Sequence, residues 1–292
     1  MPPLSHIARS ESLIEALPFI QKYRGQLFVI KYGGSAMEDE HTVERLLRDV
    51  VFLEAVGINP VLIHGGGKAI SLRMREAGLK TRFVDGLRVT CRESVAIVEE
   101  VLDQVINPRI VRTLNEFGGK ASGHSGKTVF QAEKLPPRRD EKGEEVDLGY
   151  VGRVVGVSTE ALLSAVAQET VPVISPIGRD DHGTIFNINA DIAAGNVATA
   201  LGASKLIYLS DVLGVMRDPR EPESLIPTLP IAGVHKLIGE GIIEGGMLPK
   251  VESAIEAIEK GVGKVHFIDG RIPHSLLLEI FTNSGVGTEI VA

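Results

Sequence analysis

The segment LFVIKYGG, residues 27–34, is a short apolar run that ends in two adjacent glycines. Such a run predicts a buried strand, and the glycines predict a tight turn at its end. A helix is expected next, because apolar residues recur at helical spacing from Val43 to Leu53 and Gly57 supplies a left-handed stop. The segment therefore predicts the first strand, turn and helix of the chain.

The same order of elements recurs further along the chain. Residues 60–63 form a second apolar run, three consecutive glycines follow at 65–67, and an amphipathic segment ends near Gly78. A third helix is predicted from Thr90, because Glu93 stands three residues later, which is the spacing of a capping box. Alternating strands and helices predict an α/β fold with a mainly parallel sheet.

The middle of the chain interrupts this alternation before it resumes. Two predicted strands, residues 128–135 and 151–158, flank the charged stretch PPRRDEKGEE at 136–145, which we interpret as a solvated hairpin tip without site residues. The later predicted elements are a strand at 171–178, an alanine-rich helix that begins near Asp191, a strand at 205–210, and helices at 234–238 and 249–260.

Composition and charge narrow the class of protein. The chain has 292 residues, of which 43% are apolar and 24% charged, so it can bury a sizeable core. Its formal charge is −7 and its basic residues are scattered, which argues against a nucleic-acid partner. The single cysteine allows no intramolecular disulfide, and no run reaches the roughly 20 apolar residues of a membrane helix. Without an apolar signal core at its N-terminus, the protein is predicted to be cytoplasmic.

Several familiar functional motifs are missing from the sequence. A Walker A loop is approached by ASGHSGKT at 121–128, but Ala121 replaces its first glycine. Neither a GxGxxG dinucleotide fingerprint nor a paired His/Cys zinc spacing occurs. Cys91, in the predicted first turn of a helix, and His64, beside glycines, are both interpreted as structural residues.

Four segments each combine glycine or amide groups with one charge. They are VIKYGG at 29–34, HGGG at 64–67, NINAD at 187–191 and GGMLPK at 245–250. Glycine lets backbone N–H groups approach phosphate groups closely. The segments therefore favour a site for a phosphate-bearing ligand.

Two lysines and one aspartate in these segments suit phosphoryl transfer. Lys31 is either a buried ammonium that needs an anion or a strand-edge lysine that reaches solvent. Lys250 follows Pro249 at a predicted helix start, so its ammonium and the positive helix end can face one phosphate. Asp191 is either a helix cap or the anion between the two lysines. The combination favours phosphoryl transfer, in which positioning and charge neutralisation dominate.

In their order along the chain, the four segments resemble the acetylglutamate kinases, a branch of the amino acid kinase family that serves arginine biosynthesis. The resemblance covers residues 27–292. It implies an α/β fold with an open, mainly parallel sheet of about eight strands sandwiched between helices. It also implies an N-terminal helix at 1–25, an N-acetylglutamate-binding lobe at 26–195 and an ATP-binding lobe at 196–292.

The resemblance also implies substrates and roles for residues. ATP would donate the phosphoryl group to N-acetyl-L-glutamate, with Mg²⁺ held mainly by the ATP phosphates. Lys31 and Lys250 would stabilise the transition state, and Asp191 would organise them. The residues implied to hold N-acetylglutamate are Gly66, Gly67, Arg88, Asn187 and Asn189. The residues implied to contact the nucleotide are Gly33, Gly34, Ser210, Asp211, Val212, Leu213, Gly214, Val215, Met216, Ile242, Ile243 and Glu244.

One segment departs from the family pattern. The SGK sequence at 125–127 is followed by Thr128, where the family usually has an acidic residue, so the loop has no assigned role. Two other functions stay open at this point. One is a sister kinase for another carboxylate, such as acetylaminoadipate, aspartate or carbamate, and the other is a non-catalytic protein that senses arginine or nucleotide.

The N-terminal segment bears on regulation. Residues 12–23 carry apolar side chains at helical spacing, and Pro18 is expected to kink the helix. These side chains are Leu13, Ile14, Leu17, Ile20 and Tyr23. The helix either packs on its own sheet or, as the resemblance implies, interlaces dimers into a hexamer that L-arginine inhibits. The run at 274–290 resembles the same arginine-sensitive branch, with Glu279 and Glu289 as alternative partners for arginine's guanidinium.

Overall fold

The computed structural model describes residues 4–37, 39–140, 142–218 and 220–292. The α-helices are α1 (Leu4–Tyr23), α2 (Glu40–Ala55), α3 (Gly67–Glu76), α4 (Arg92–Glu99), α5 (Asn107–Glu116), α6 (Gly126–Val129), α7 (Glu160–Ala167), α8 (Ala190–Ala200), α9 (Ile231–Gly239), α10 (Leu248–Glu259) and α11 (Ser275–Phe281). A π-helical stretch, Glu100–Ile106, joins α4 to α5. No helix within the described ranges is both long and apolar enough to cross a membrane.

In the described residues, the strands form one large sheet, one small sheet and two hairpins. Their bounds are β1 (Leu27–Tyr32), β2 (Asn59–His64), β3 (Phe83–Val84), β4 (Leu87–Arg88), β5 (Ala121–His124), β6 (Phe130–Lys134), β7 (Arg138–Arg139), β8 (Glu145–Val146), β9 (Gly152–Val157), β10 (Val171–Ile174), β11 (Ile177–Arg179), β12 (Ile185–Asn187), β13 (Lys205–Ser210), β14 (Thr228–Pro230), β15 (Lys264–Asp269) and β16 (Thr288–Val291). Most of the chain between them is helical.

The large sheet has eight strands in the order β14-β16-β15-β13-β1-β2-β10-β5. Neighbouring strands are parallel except β15 and β16, which are antiparallel. In the centre, Lys31 on β1 is in register with Tyr208 on β13 and with Ile63 on β2. The predicted α/β fold with an open, mainly parallel sheet is confirmed.

Helices cover both faces of the large sheet. On one face, Val29 of β1 shares a core with Val197 of α8 and Val251 of α10. On the other face, Phe28 of β1 packs in a core with Leu47 of α2. Successive side chains of a strand point to opposite faces, so β1 serves both cores and needs apolar residues at nearly every position. This burial explains the continuous apolar run from which the strand was predicted.

The small sheet has the order β12-β11-β6-β9. In sequence, its strands lie between β5 and β13 of the large sheet, and β10 of the large sheet comes between β9 and β11. The hairpins are β3–β4 and β7–β8. The β7–β8 hairpin occupies most of the charged stretch 136–145 and ends one residue beyond it, and both arginines of β7 are exposed. The prediction of a solvated hairpin in this stretch is therefore confirmed.

The prediction of one strand at residues 171–178 is wrong. The structure has two strands there, β10 in the large sheet and β11 in the small one. Between them the chain turns, with the Ile177 N–H donating to the Ser175 carbonyl at 3.0 Å. Pro176 has no N–H with which to continue a strand ladder, so the apolar run changes sheets at this point.

Two element starts also differ from the predictions. The third helix begins at Arg92, with Cys91 as its N-cap residue, and not at Thr90. Thr90 instead donates its hydroxyl to the Arg88 carbonyl at 2.8 Å. The short helix α6 occupies the beginning of the strand predicted at 128–135. In each case a residue of the predicted element bonds to a residue outside it, since the Thr128 N–H likewise donates to the Ser125 carbonyl at 3.0 Å.

The N-terminal helix exists but only part of it packs on the chain. α1 continues through Pro18. Ile20 and Tyr23, near its C-terminal end, pack against the core beneath β1. The apolar residues in its middle are exposed, namely Leu13 (68%), Ile14 (69%) and Leu17 (43%). The described part of the chain therefore leaves an apolar surface on α1 uncovered.

Candidate active site

Lys31, Asp191 and Lys250 meet at the carboxyl edge of the large sheet. The Nζ atom of Lys31 lies 2.9 Å from Asp191 Oδ1. Lys250 Nζ donates a hydrogen bond to Asp191 Oδ2 at 2.8 Å. One carboxylate therefore holds two ammonium groups that come from distant parts of the chain.

Local structure sets the position of each of these side chains. Lys31 stands near the end of β1, and Lys250 lies in the first turn of α10. Asn189 caps α8, with its Oδ1 accepting from the N–H groups of Asp191 at 2.8 Å and Ile192 at 3.3 Å. The interpretation of Asp191 as the cap is therefore wrong, because Asn189 performs that role. The carboxylate of Asp191 is left to face the lysines.

The two lysine charges of the cluster act strongly on the Asp191 carboxylate. Burial raises the pKa of Asp191, but the charges of Lys31 and Lys250 outweigh burial and lower this pKa to about 2. The carboxylate is thus ionised at neutral pH. The side chains of Lys31 and Lys250 are only 10% and 22% exposed, so water screens them weakly. Two cations around one anion leave a positive charge that a bound anion would neutralise.

A cleft of about 900 Å³ opens beside the cluster. Lys31 and Asp191 form part of its wall. Other predicted site residues that line it are Gly34, Gly66, Gly67, Arg88, Asn187, Asn189 and Asp211. The volume is in the range of small-molecule sites. The structure therefore brings the predicted acceptor-binding residues, Lys31 and Asp191 to one cleft. Lys250 is not part of the cleft lining, but it contacts Asp191, which is.

Gly66 is required by the packing of the cleft wall. A Cβ atom at this position would lie 2.6 Å from Leu102 Cδ2 and 2.8 Å from Ile106 Cδ1. Both side chains belong to the π-helical stretch, a conformation that is frequent at functional sites. Sequence analysis missed this wall, since an apolar pair four residues apart on a helix is typical of any core.

Arg88 projects into the cleft from β4. Its Nη2 donates to the Gly67 carbonyl at 2.7 Å and to Ser71 Oγ at 2.8 Å. Its guanidinium carbon lies 4.7 Å from the centroid of the Phe83 ring. Burial lowers the pKa of Arg88, which is 6% exposed. These partners are neutral, an environment that suits a guanidinium whose counter-charge is on a bound ligand.

Asn187 is connected to Arg88 through Thr90. The side-chain amide of Asn187 donates to Thr90 Oγ1 at 3.3 Å. Thr90 Oγ1 in turn donates to the Arg88 carbonyl at 2.8 Å. The side-chain amide of Asn187 is therefore held relative to the backbone of Arg88 by one short chain of hydrogen bonds.

The predicted nucleotide contacts are only partly at the cleft. Asp211 lines it, and its carbonyl accepts from Arg271 Nη2 at 2.7 Å. Gly214 packs against β16, where a Cβ atom would lie 2.5 Å from Thr288 Oγ1. Within the described part of the chain, the predicted nucleotide residues outside the cleft lining are Gly33, Ser210, Val212, Leu213, Gly214, Val215, Met216, Ile242, Ile243 and Glu244.

The SGK loop at 125–127 has a structural role. Ser125 Oγ donates to Asp103 Oδ2 at 2.7 Å, and Ser175 Oγ donates to the other carboxylate oxygen of Asp103. Lys127 forms an ion pair with Glu99. Asp103 lies in the π-helical stretch, so the loop fastens the same stretch that forms the cleft wall.

His64 is fully buried at the end of β2. Burial lowers its pKa to about 4, so the imidazole is neutral at pH 7. Its Nδ1 lies 3.0 Å from the Gly65 carbonyl oxygen, and its Nε2 lies 3.3 Å from Asn107 Nδ2. These contacts agree with the interpretation of His64 as a structural residue.

The sequence profile of the amino acid kinase family matches residues 26–269. This match includes the strands of the large sheet except β16 and all the residues named at the cleft. The chain therefore belongs to the amino acid kinase family, in agreement with its eight-stranded sheet.

Curated relatives identify the branch of the family. The chain is 48% identical to an acetylglutamate kinase of Akkermansia muciniphila, over 98% of this chain and 96% of that protein. It is 51% identical to an acetylglutamate kinase of Methanocaldococcus jannaschii, over 99% of this chain and 98% of that protein. Within the family, the chain belongs to the acetylglutamate kinases.

A solved structure of a different enzyme has a similar fold. N-acetylglutamate synthase from Neisseria gonorrhoeae, complexed with coenzyme A and N-acetyl-glutamate, has a TM-score of 0.84 and 26% identity over 97% of this chain. The same synthase complexed with coenzyme A and L-arginine has a TM-score of 0.80 and 25% identity over 97% of this chain. The chain spans 63% and 65% of the two synthase chains, so it corresponds to part of that enzyme.

Proposed function

We propose that the chain transfers the γ-phosphoryl group of ATP to the side-chain carboxylate of N-acetyl-L-glutamate, in the cytoplasm. The observation that carries this proposal is the cluster of Lys31, Asp191 and Lys250 beside a cleft that also contains Arg88. The name of the relatives suggests the acceptor. We assign the acceptor to the lobe at 26–195 and ATP to the lobe at 196–292.

The reaction needs no general base, because a glutamate side chain has a pKa near 4.3 and is ionised at neutral pH. A carboxylate oxygen forms a bond to the γ-phosphorus, the bond from that phosphorus to the β,γ-bridging oxygen breaks, and ADP leaves with the electron pair. The difficulty is the approach of two anions. We assign Lys31 to the transferred group and Lys250 to the leaving β-phosphate, with Asp191 holding both.

Glycine N–H groups and Mg²⁺ would supply the remaining positive charge. Backbone N–H groups near Gly34 and Gly67 can approach phosphate oxygens without a side chain in the way. Both oxygens of Asp191 contact lysines, so the role of this carboxylate in the structure is to hold the two ammonium groups. We propose that Mg²⁺ arrives with ATP, whose phosphates hold it and whose charge it neutralises.

An ADP-release assay with the pure protein, Mg²⁺, ATP and a panel of acids tests the acceptor. N-acetylglutamate should exceed N-acetylaminoadipate, which is one methylene longer, by at least about tenfold in kcat/KM. A preference for another acid would make the protein a sister kinase. Absence of ADP release with every acid would favour the non-catalytic sensor, which the kinase names of the relatives do not support.

Arg88→Lys should weaken the binding of N-acetylglutamate. The charge persists, but the fork geometry that can hold a carboxylate by two hydrogen bonds is lost. Loss of one charge-assisted hydrogen bond, about 1.5–3 kcal/mol, corresponds to a KM raised roughly 10- to 100-fold. Arg82→Lys is the control, because Arg82 is 56% exposed and pairs with Asp140 on the surface. An unchanged KM in folded Arg88→Lys would contradict the assignment.

We further propose that the chain forms a hexamer, a trimer of dimers, through α1. The exposed apolar residues Leu13, Ile14 and Leu17 support this proposal, since a second copy of the chain would remove them from water. A helix shared between subunits could couple distant active sites, because an inhibitor need only bind one arrangement of subunits better than another.

L-arginine is the proposed inhibitor, and its site is proposed at the base of α1. Lys205 Nζ lies 5.1 Å from the Tyr23 ring centroid on α1 and 2.7 Å from His266 Nε2. His266 Nδ1 lies 2.7 Å from Glu279 Oε1. Glu289 instead contacts Lys264 on the neighbouring strand. The connection to α1 favours Glu279 as the partner of arginine's guanidinium.

A variant that begins at Gln26 tests both regulatory proposals. Its oligomer should contain fewer subunits than that of the full chain, as measured by light scattering. The variant should keep its activity and should be much less sensitive to L-arginine. Glu279→Gln should likewise lose sensitivity, while Glu289→Gln should keep it. A full-length dimer that is indifferent to millimolar arginine would contradict the proposal.

A further inference from the structure

Tyr208 connects the two helices that carry Asp191 and Lys250. It is wholly buried in β13. Its hydroxyl donates to the Asp191 carbonyl of α8 at 3.4 Å and lies 3.0 Å from Ser253 Oγ of α10. Ser253 can donate to the Tyr208 oxygen while Tyr208 donates to the carbonyl, which makes a continuous chain of hydrogen bonds from α10 to α8.

Strand register directs the Tyr208 hydroxyl to this position. Tyr208 is the register partner of Lys31 on the adjacent parallel strand, so both side chains project from the same face of the sheet. The Tyr208 ring stacks on Phe267 with 5.2 Å between centroids and an interplanar angle of 11°. Burial, followed by the charge of Asp191, raises the pKa of Tyr208, so the phenol keeps its proton.

The two helices approach closely at this point. Ser253 stands three residues after Lys250, which puts both on one side of α10. Gly195 stands four residues after Asp191 on α8. A Cβ atom on Gly195 would lie 3.1 Å from Ser253 Oγ and 3.6 Å from the Tyr208 hydroxyl. Small residues on both helices therefore leave room for the hydroxyl between them.

We propose that Tyr208 is a positioning residue that fixes α10 against α8 and thereby holds Lys250 on Asp191. The inference rests on the proposed function of Lys250. Lys31 does not depend on the bridge, because it stands on β1 within the sheet itself. Loss of the hydroxyl should therefore impair only the part of catalysis that Lys250 performs.

Tyr208→Phe tests the bridge, because it removes the hydroxyl and keeps the ring in the core. We expect kcat to fall about tenfold, less than the roughly 10²-fold that a misplacement of about 1 Å can cost, with little change in KM for N-acetylglutamate. Ser253→Ala should lower kcat in the same direction. The matched control is Ser204→Ala, which removes a hydroxyl bonded to the Leu27 carbonyl at the opposite end of the same strands and should leave kcat unchanged.

A double-mutant cycle separates positioning of Lys250 from a general loss of structure. In a Lys250→Ala background, Tyr208→Phe should cause no further loss of kcat, because the side chain that it positions is gone. A wild-type kcat in Tyr208→Phe, or an equal loss in both backgrounds, would overturn the inference.

A crystal structure of Tyr208→Phe gives a result that does not depend on the substrate. The inference requires Lys250 Nζ to leave its 2.8 Å contact with Asp191 Oδ2. If the contact is kept, the bridge does not position Lys250. If the wild-type enzyme does not phosphorylate N-acetylglutamate but the contact is lost in the variant, the proposed acceptor is wrong and the bridge stands.

Discussion

Lys31→Ala and Lys250→Ala should each lower kcat by roughly 10² or more, the order observed when one preorganised charge-stabilising donor is removed. The two ammonium groups meet at Asp191, at 2.9 and 2.8 Å, so each is fixed before substrate binds. KM for N-acetylglutamate should change less than kcat, because the lysines act on the charge of the transferring phosphoryl group. Steady-state kinetics on folded variants, verified by circular dichroism, measure both effects.

Lys260→Ala is the matched control for Lys250→Ala, because Lys260 caps the other end of the same helix. Its side chain is 53% exposed and pairs with Glu256, four residues earlier, at the surface. It should keep wild-type kcat. If Lys31→Ala or Lys250→Ala folds and also keeps near-normal kcat, the role assigned to that lysine is wrong.

Gly126→Ala should severely destabilise the fold. A Cβ atom at this position would lie 2.1 Å from the Ile177 carbonyl oxygen and 2.2 Å from that of Ser175. Both are backbone atoms at the turn between β10 and β11, so they cannot move away as a side-chain end could. Overpacking costs about 1–3 kcal/mol in ordinary sites, and we expect about 3 kcal/mol or more here. Urea unfolding, or the yield of folded protein, measures the loss.

Gly239→Ala is the control for this substitution. Gly239 ends α9, and a Cβ atom there would meet no atom within 4 Å. Alanine in place of a helical glycine is expected to stabilise by up to about 1 kcal/mol. Equal stability of Gly126→Ala and the wild-type protein would show that the SGK loop does not pack as described.

The fold was predictable where burial alone determines an element. β1 and β2 each bury five of six residues, and a short apolar run ended by glycines shows this directly in the sequence. Element boundaries were not predictable where distant contacts set them. The run at 171–178 changes sheets at Pro176, and Ser175 beside it bonds to residues far away in sequence, including Asp103. The spacing of neighbouring residues in the sequence does not predict that contact.

The site was predictable as a set of residues but not as an arrangement. Lys31, Asp191 and Lys250 stand out as charges beside glycine or amide groups, yet their distances depend on the packing of α8 and α10 on the sheet. Asn189 had a cap signal of its own, since asparagine before a helix is a preferred N-cap residue. Tyr208 had no sequence signal for a role at the site, because an aromatic residue in an apolar strand is typical of a core.

Acyl phosphate formation from N-acetylglutamate can be followed by trapping the product with hydroxylamine in the presence of Mg²⁺ and ATP. We predict that the hydroxamate of N-acetylglutamate forms in step with ADP, and that Lys250→Ala forms both about 10² times more slowly. ADP release without hydroxamate would show that the phosphoryl group goes to water or another acceptor. That result, or hydroxamate formed only from a different acid, would contradict phosphoryl transfer to N-acetylglutamate at this site.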